Sequence, residues 1–507
     1  MEEILRESVE IERVAAQVRE QALVEGEVAL PGGIREEATV LGCEARLVVS
    51  GVEPQQDRLA MDGTVVFQVL YRQGGEEVRV LEANCAFSHQ TDLPGIDARM
   101  RPQIIGSVQS ATAQPVSGRM RLRAVTELAV RVLAPEEVEI VSGIRNLDAL
   151  ATDEKDYPLL RHAASGTASA LLREEFALDE ALHIAETLYA RATAEVSGVS
   201  GGEGRALVEG NVLLEVFHAG SDPDAPLIVT EHNFPFEHTV ELQGETGDDL
   251  RAYVQVQDVV ASSVDAGDGS RVLRTETVLD IEAESFTPQT LHALRDAYTL
   301  SGECVSLQTQ PVRCLAGVEN LEAAETDKLV LAMPPEALPV GRVLAAILTP
   351  AATGAEQVGG RAIVEGLLDA QVIYQPVGQS EVVSARQEAP FRIAFQGTLP
   401  TDANVVLKAR GVQAESIAPD RVEIKYTMGL HADTLREEPV LLPMDVVKTQ
   451  APPEKGGLVM VWPQRDETFW DIAKRLRVTA ESIQELNPNA APGQALIVMK
   501  RVQEQLQ

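Results

Sequence analysis

Long stretches of this chain alternate apolar and polar residues with a period of two, the spacing that turns one face of a β-strand to a core and the other to water. Arg119-Met-Arg-Leu-Arg-Ala-Val-Thr-Glu-Leu-Ala-Val is one such run, and others recur up to about residue 450. Self-comparison makes them legible. The segment GTVVFQVLYRQGGEEVRVLEANCAFSHQTDLPG returns as GNVLLEVFHAGSDPDAPLIVTEHNFPFEHTVELQG and again as GLLDAQVIYQPVGQSEVVSARQEAPFRIAFQG. Gly63, Gly210 and Gly366 open a strand that Tyr71, His218 and Tyr374 end, with His218 expected as a half-buried aromatic substitute. Phe87, Phe236 and Phe391 fall in the next strand, which Gly95, Gly244 and Gly397 close; Arg119, Arg271 and Arg421 start a final alternating strand. The pattern predicts a mainly β chain of three tandem β-sandwich or barrel-like repeats with few helices, at residues 1–147, 166–318 and 335–447. Joints are expected near 146–165 and 319–338, and a flexible linker at 448–457, where Pro, Gly and charge cluster.

After residue 457 the period changes. The apolar run Leu458-Val-Met-Val-Trp462 reads as a strand, and Thr468 and Asp471 stand at capping-box spacing. Phe469, Ile472, Ala473 and Leu476 then place four apolar side chains on one helix face. Thr479 caps a second helix through Ala480, Ile483 and Leu486, which ends near Asn487 because Pro488 disfavours helical geometry before it. Ala495-Leu-Ile-Val-Met499 supplies a last strand, giving a small βααβ unit over residues 458–502.

The string DETFWDIAKRLRVTAESIQELNPNAAPGQALIV resembles a LysM domain, whose usual pattern runs close to GDTLWDIAKRYGVTVEELLELNP, then PGQ and an apolar strand. Asp466 stands where that pattern has Gly, and Arg477 replaces the Gly between the helices. The resemblance implies a groove for N-acetylglucosamine polymers or a protein partner, built from Asp466, Glu467, Thr468 and Phe469 on one side and Asn487, Pro488, Asn489 and Gly493 on the other. Arg465, Lys474 and Arg475 would be rim charges of a protein interface. The chain's two tryptophans, Trp462 and Trp470, both lie in this unit. Trp470 is expected in its core, whereas Trp462 suits core or ligand equally.

The run LVEGEVALP, the Leu70-Tyr71-Arg72 strand end and the closing glycine resemble the SPOCS domain of SipL-like proteins from spore-forming bacteria, which carry a LysM domain at the C-terminus. The resemblance implies a spore envelope scaffold in the mother-cell cytosol. Its β repeats would form a rod and a docking surface, and its LysM would hold the ATPase of the coat basal layer. Peptidoglycan binding by the LysM is the alternative.

Composition narrows the chemistry. With 43 Lys plus Arg against 78 Asp plus Glu, the net charge of −35 argues against direct binding to nucleic acid or an anionic bilayer. From Leu458 onward six basic residues (Arg465, Lys474, Arg475, Arg477, Lys500, Arg501) balance six acidic ones (Asp466, Glu467, Asp471, Glu481, Glu485, Glu504), so the excess negative charge lies upstream. The acidic N-terminal run MEEILRESVEIERVAAQVRE lacks the apolar core of a secretory signal, and no stretch suits a membrane span, so the cytoplasm is the expected location. Cys43, Cys85, Cys304 and Cys314 show no metal or redox spacing and are expected as buried small hydrophobes. No GxxxxGK[ST], HExxH or GxSxG motif is present, so a non-enzymatic chain without cofactor or metal is expected. His232 and His238, about 20 Å apart along an extended segment, read as a surface pair. Asp265-Ala-Gly-Asp-Gly-Ser270 reads as a hairpin turn, since the other repeats carry turns there.

Overall fold

The computed structural model describes residues 3–31, 38–73, 77–147, 149–244, 246–247, 249–266, 270–450, 456–488 and 494–500. It is mainly β, in several small antiparallel sheets. The chain runs through β1 (Glu3–Ala29), β2 (Ala38–Gln55), β3 (Arg58–Gln73), β4 (Val78–Asp92), β5 (Arg101–Val116) and β6 (Arg119–Arg145). Next come β7 (Leu150–Ala177), β8 (Ile184–Gly202), β9 (Arg205–Gly220), β10 (Leu227–Glu241), the short β11 (Gln243–Gly244), β12 (Asp249–Asp265) and β13 (Arg271–Thr299). Then follow β14 (Cys304–Ala332), β15 (Val340–Val358), β16 (Arg361–Pro376), β17 (Val383–Gln396), β18 (Asn404–Ala418) and β19 (Arg421–Thr449). The C-terminal part holds β20 (Gly457–Val461), α1 (Phe469–Leu476), α2 (Ala480–Leu486) and β21 (Leu496–Lys500).

One strand order occurs three times. Sheets β1-β6-β5 and β2-β3-β4 are matched by β7-β13-β12, with β11 added at its edge, and β8-β9-β10, then by β14-β19-β18 and β15-β16-β17. Irregularities recur with it. In the first strand of each unit the extra, unpaired residue is an alanine, Ala15, Ala163 or Ala316, and in the second the extra residues include a leucine, Leu41, Leu188 or Leu344. Such bulges bend a strand and raise its twist. Gly63, Gly210 and Gly366 do not open their strands, which begin at Arg58, Arg205 and Arg361. They sit opposite Phe87, Phe236 and Phe391 in the ladder, where a Cβ would collide with that ring and with the carbonyl of Val48, Glu195 or Ala351. Glycine is required there for space.

The stretches expected as joints lie largely inside strands. β7 runs through 150–165 because its N-terminal half pairs with the C-terminal half of β13 as a two-stranded ribbon, and β14 runs through 319–332 because its C-terminal half pairs with the N-terminal half of β19. Their charged and proline-containing faces imitate linker composition. Lys448 and Thr449, expected in the flexible linker, pair with Val305 and Cys304; residues 451–455 lie outside the described residues. The chain instead turns between Arg145 and Leu150 and between Thr299 and Cys304.

The three units close on one another, which overturns the expected rod. Leu41, Leu70 and Val78 of the first pack with Tyr189, Phe217 and Leu227 of the second and Ile347, Ile373 and Val382 of the third. A second shared cluster joins Ile11, Val138 and Ile140 to Leu159, Leu291 and Ala293 and to Cys314, Val440 and Leu442 on the ribbons. Each aliphatic side chain so buried contributes about 1.5–3 kcal/mol. Ion pairs cross all three junctions: Arg191 with Glu44, Arg410 with Glu195, and Arg131 with Asp433 at 2.7 Å, the last with both side chains almost wholly buried. First and third units therefore touch directly.

Candidate functional site

In the C-terminal part, local sequence determines local structure closely. Thr468 caps α1 in a full capping box with Asp471, and Thr479 caps α2 by accepting from the Ser482 amide. β20 and β21 pair antiparallel, and Val461, Ile472, Ala473, Ile483, Leu496 and Val498 form a core between that sheet and the helices. The opposite face of the sheet, with Leu458, Met460, Ile497 and Met499, is exposed.

The residues of the expected groove have distinct duties. Asp466 is exposed with φ 68°, the left-handed region where glycine is favoured, so the position keeps a glycine-type conformation under an acidic side chain. Glu467 accepts from the Gln464 amide at 2.9 Å and pairs with Arg475 at 3.0 Å. Thr468 is the cap and Phe469 packs against the core. Asn487 is a clamp: its amide donates to the Ile483 and Ile497 carbonyls at 2.7 and 2.8 Å, and its Oδ1 accepts from the Ile497 amide at 2.8 Å. Pro488 is exposed in the following turn, and Asn489 and Gly493 lie outside the described residues. Of the expected groove residues, Asp466, Thr468 and Pro488 are exposed, and Thr468 alone of these serves the unit's own fold through its cap.

Trp470 is partly buried, in a contact that sequence reading did not anticipate. Its Nε1 donates to Asp296 Oδ2 at 3.0 Å, and its ring meets Tyr298 edge-on at 4.9 Å between centroids. Lys474 Nζ donates to both Asp296 carboxylate oxygens at 2.7 and 2.8 Å. Arg477 donates to the Thr299 carbonyl at 3.0 Å, Thr299 Oγ1 at 3.3 Å and the Gly302 carbonyl at 2.9 Å, while the Tyr298 hydroxyl donates to the Val478 carbonyl at 2.7 Å. Burial first, then the charges of Glu481 and Asp296, push the Tyr298 phenol up to about 12, so it remains a donor. The βααβ part is therefore seated on the tip of the β7–β13 ribbon. Of the expected rim charges, Lys474 faces this seat, Arg475 pairs with Glu467, and Arg465 is exposed. Trp462 is 66% exposed and outside the core.

A second concentration of polar chemistry lies where the units meet. Strands of all three line a chamber of about 1090 Å³, with Arg46, Gln103, Glu282 and His431 in its wall. Beside it, burial first and then the Glu282 charge push Glu284 up to about 7, against the pull of Arg131 and Arg251. Tyr189 donates to Glu44 at 2.7 Å, and Arg191 is held between Glu44 and Glu215. Of these, the Tyr189–Glu44, Arg191–Glu44 and Arg46–Asp258 contacts cross the junction between the first and second units. Among the described residues no group of three or more His, Cys, Asp or Glu could hold a metal ion.

His218 is wholly buried, not half-buried, because Thr187 and Thr230 hydroxyls bond its two ring nitrogens at 3.2 and 2.9 Å. Burial, with the neighbouring His232 and Arg271, lowers its pKa to about 4. His232 stacks on Phe176 at 4.3 Å. Cys43, Cys85 and Cys314 are buried and Cys304 is half-buried; all four are free. No helix is long and apolar enough to cross a membrane.

Residues 38–116, which span β2 to β5 of the first unit, match the family model described as SipL, SPOCS domain. No curated protein and no solved structure matches the chain. The match supports a SipL-like relationship and suggests a sporulation-related protein.

Proposed function

We propose that this chain is a non-enzymatic scaffold of spore envelope assembly in the mother-cell cytoplasm, made of three SPOCS-like repeats and one LysM-like module. In this reading the module docks onto a protein of the coat basal layer, an ATPase. The observation that carries it is the family match over 38–116, because the strand order and bulge positions of the matched unit recur twice more in the chain. That recurrence extends the reading from the matched residues to the rest of the β body.

A protein partner is favoured over a wall polymer by Asp466, which puts a carboxylate at the mouth of the groove where the resembled pattern has no side chain. The test uses the full chain, offered in parallel to purified peptidoglycan and to a lysate of sporulating cells, with Asp466→Gly beside it. Glycine suits the φ of 68° at that position, so the variant keeps its fold. Capture of one dominant coat protein with no wall retention, weakened by Asp466→Gly, is expected. Retention on peptidoglycan that Asp466→Gly strengthens would replace the scaffold with a wall-binding protein.

A further inference from the structure

Arg477 ends α1 with φ 55°, a conformation that costs a side-chain-bearing residue about 1 kcal/mol relative to glycine. Its side chain donates out of the module to Thr299 and Gly302 at the ribbon tip. A residue that breaks its local rule is accounted for by what it gains across a contact. The tip is also singular among the three. Arg295 is the extra residue in β13 and directs Asp296 at Trp470 and Lys474; the corresponding extra residues are Ser142 and Met444. Gly143 then follows in the first ribbon, which offers no carboxylate, and Asp445 in the third, whose carboxylate is taken by Arg6 at 2.9 Å.

We propose that the Asp296–Tyr298–Thr299 tip is a reversible latch that holds the C-terminal module by Trp470, Lys474 and Arg477 and fixes the direction in which its groove faces. The latch is made to open. Lys474 and Asp296 are 39% and 20% exposed, in the range where ion pairs contribute little net stability. The caps and the Asn487 clamp lie wholly within the module, and of the tip only Tyr298 enters its buried apolar cluster. Released, it remains joined to the body through the seven residues between Thr449 and Gly457, a length that limits its swing to about 25 Å. Latched, it is a fixed pole of the molecule; unlatched, it is a tethered one with a larger search volume. This inference does not depend on what the groove binds.

The experiment uses the full chain carrying Trp462→Phe, which leaves Trp470 as the one tryptophan. Collisional quenching of Trp470 by acrylamide reports the seat, and amide exchange over 472–476 and 483–486 reports the module's own fold. Asp296→Asn removes the charge but keeps an acceptor for the Ala297 amide, and Arg477→Gly removes the guanidinium while relieving the backbone. Each variant should raise the quenching constant two- to fivefold with amide protection of the module unchanged. Unchanged quenching in both variants would overturn the latch. So would quenching that rises only together with lost amide protection, because the tip would then be part of the module's folding core.

Discussion

The β body and the C-terminal module are held together by different physics. Within the body the units share apolar clusters and ion pairs removed from water, so that no unit can leave without exposing core. The module meets the body through a partly exposed ion pair and through Tyr298, which is buried in the module's apolar cluster with Ala151 and Leu300 packed against it. Several shared clusters and a buried ion pair join the units of the body, whereas one small cluster and a part-exposed ion pair hold the module.

The largest effect expected to separate the two regions is at the Arg131–Asp433 pair. Arg131→Ala leaves a carboxylate buried without its partner, and chemical denaturation should show a loss of about 3–5 kcal/mol in the body transition. Trp470 quenching should be unchanged before that transition. A loss under 1 kcal/mol would mean the first and third units are joined loosely.

Titration sharpens the same comparison, because the strongly shifted groups of the body act with opposite sign. His218 takes up its proton only near pH 4 when folded, against about 6.5 unfolded, so it binds fewer protons in the folded state between those values. Its contribution is present above pH 6.5 and is lost as the pH falls toward 4. Glu284 releases its proton near pH 7 when folded instead of 4.5, so its contribution is present below pH 4.5 and is lost as the pH rises through 7. His218→Tyr, matching Tyr71 and Tyr374, should therefore flatten the acid limb of the stability profile, by on the order of 2–3 kcal/mol at pH 4. Glu284→Gln should flatten the limb above pH 5 and leave the acid limb alone. Thermal unfolding across pH measures both, and an unaltered profile in either variant would contradict the burial that causes the shift.

The smallest effect belongs to the module. Thr479→Ala removes the α2 cap and should cost about 1 kcal/mol, seen as faster amide exchange in α2 with no change in the body.

What the sequence disclosed follows from the range of the forces involved. Both helices start at the threonines whose capping spacing announced them, because a cap involves residues three apart in the chain. The final strands of the units begin at Arg119, Arg271 and Arg421, as the alternation predicts. The ribbons were hidden, since two-stranded segments with wet faces carry the composition of linkers until their partner, more than a hundred residues away, is known. Asp296 gave no local sign of its role, and the sign at Arg477 was an unusual residue where glycine is ordinary. Of the expected groove residues, the cap at Thr468 was legible in the sequence, but the clamp at Asn487 was not, because it becomes visible only when β21 is in place.

The claim that three units close into one body beside a separately held module is tested most directly by native-state amide exchange of the full chain across a denaturant series. One common opening for the slowest amides of β6, β13 and β19, with α1 and α2 opening earlier at lower free energy, is the predicted result. Three independent openings for the three strands would contradict it and return the body to a string of separate domains.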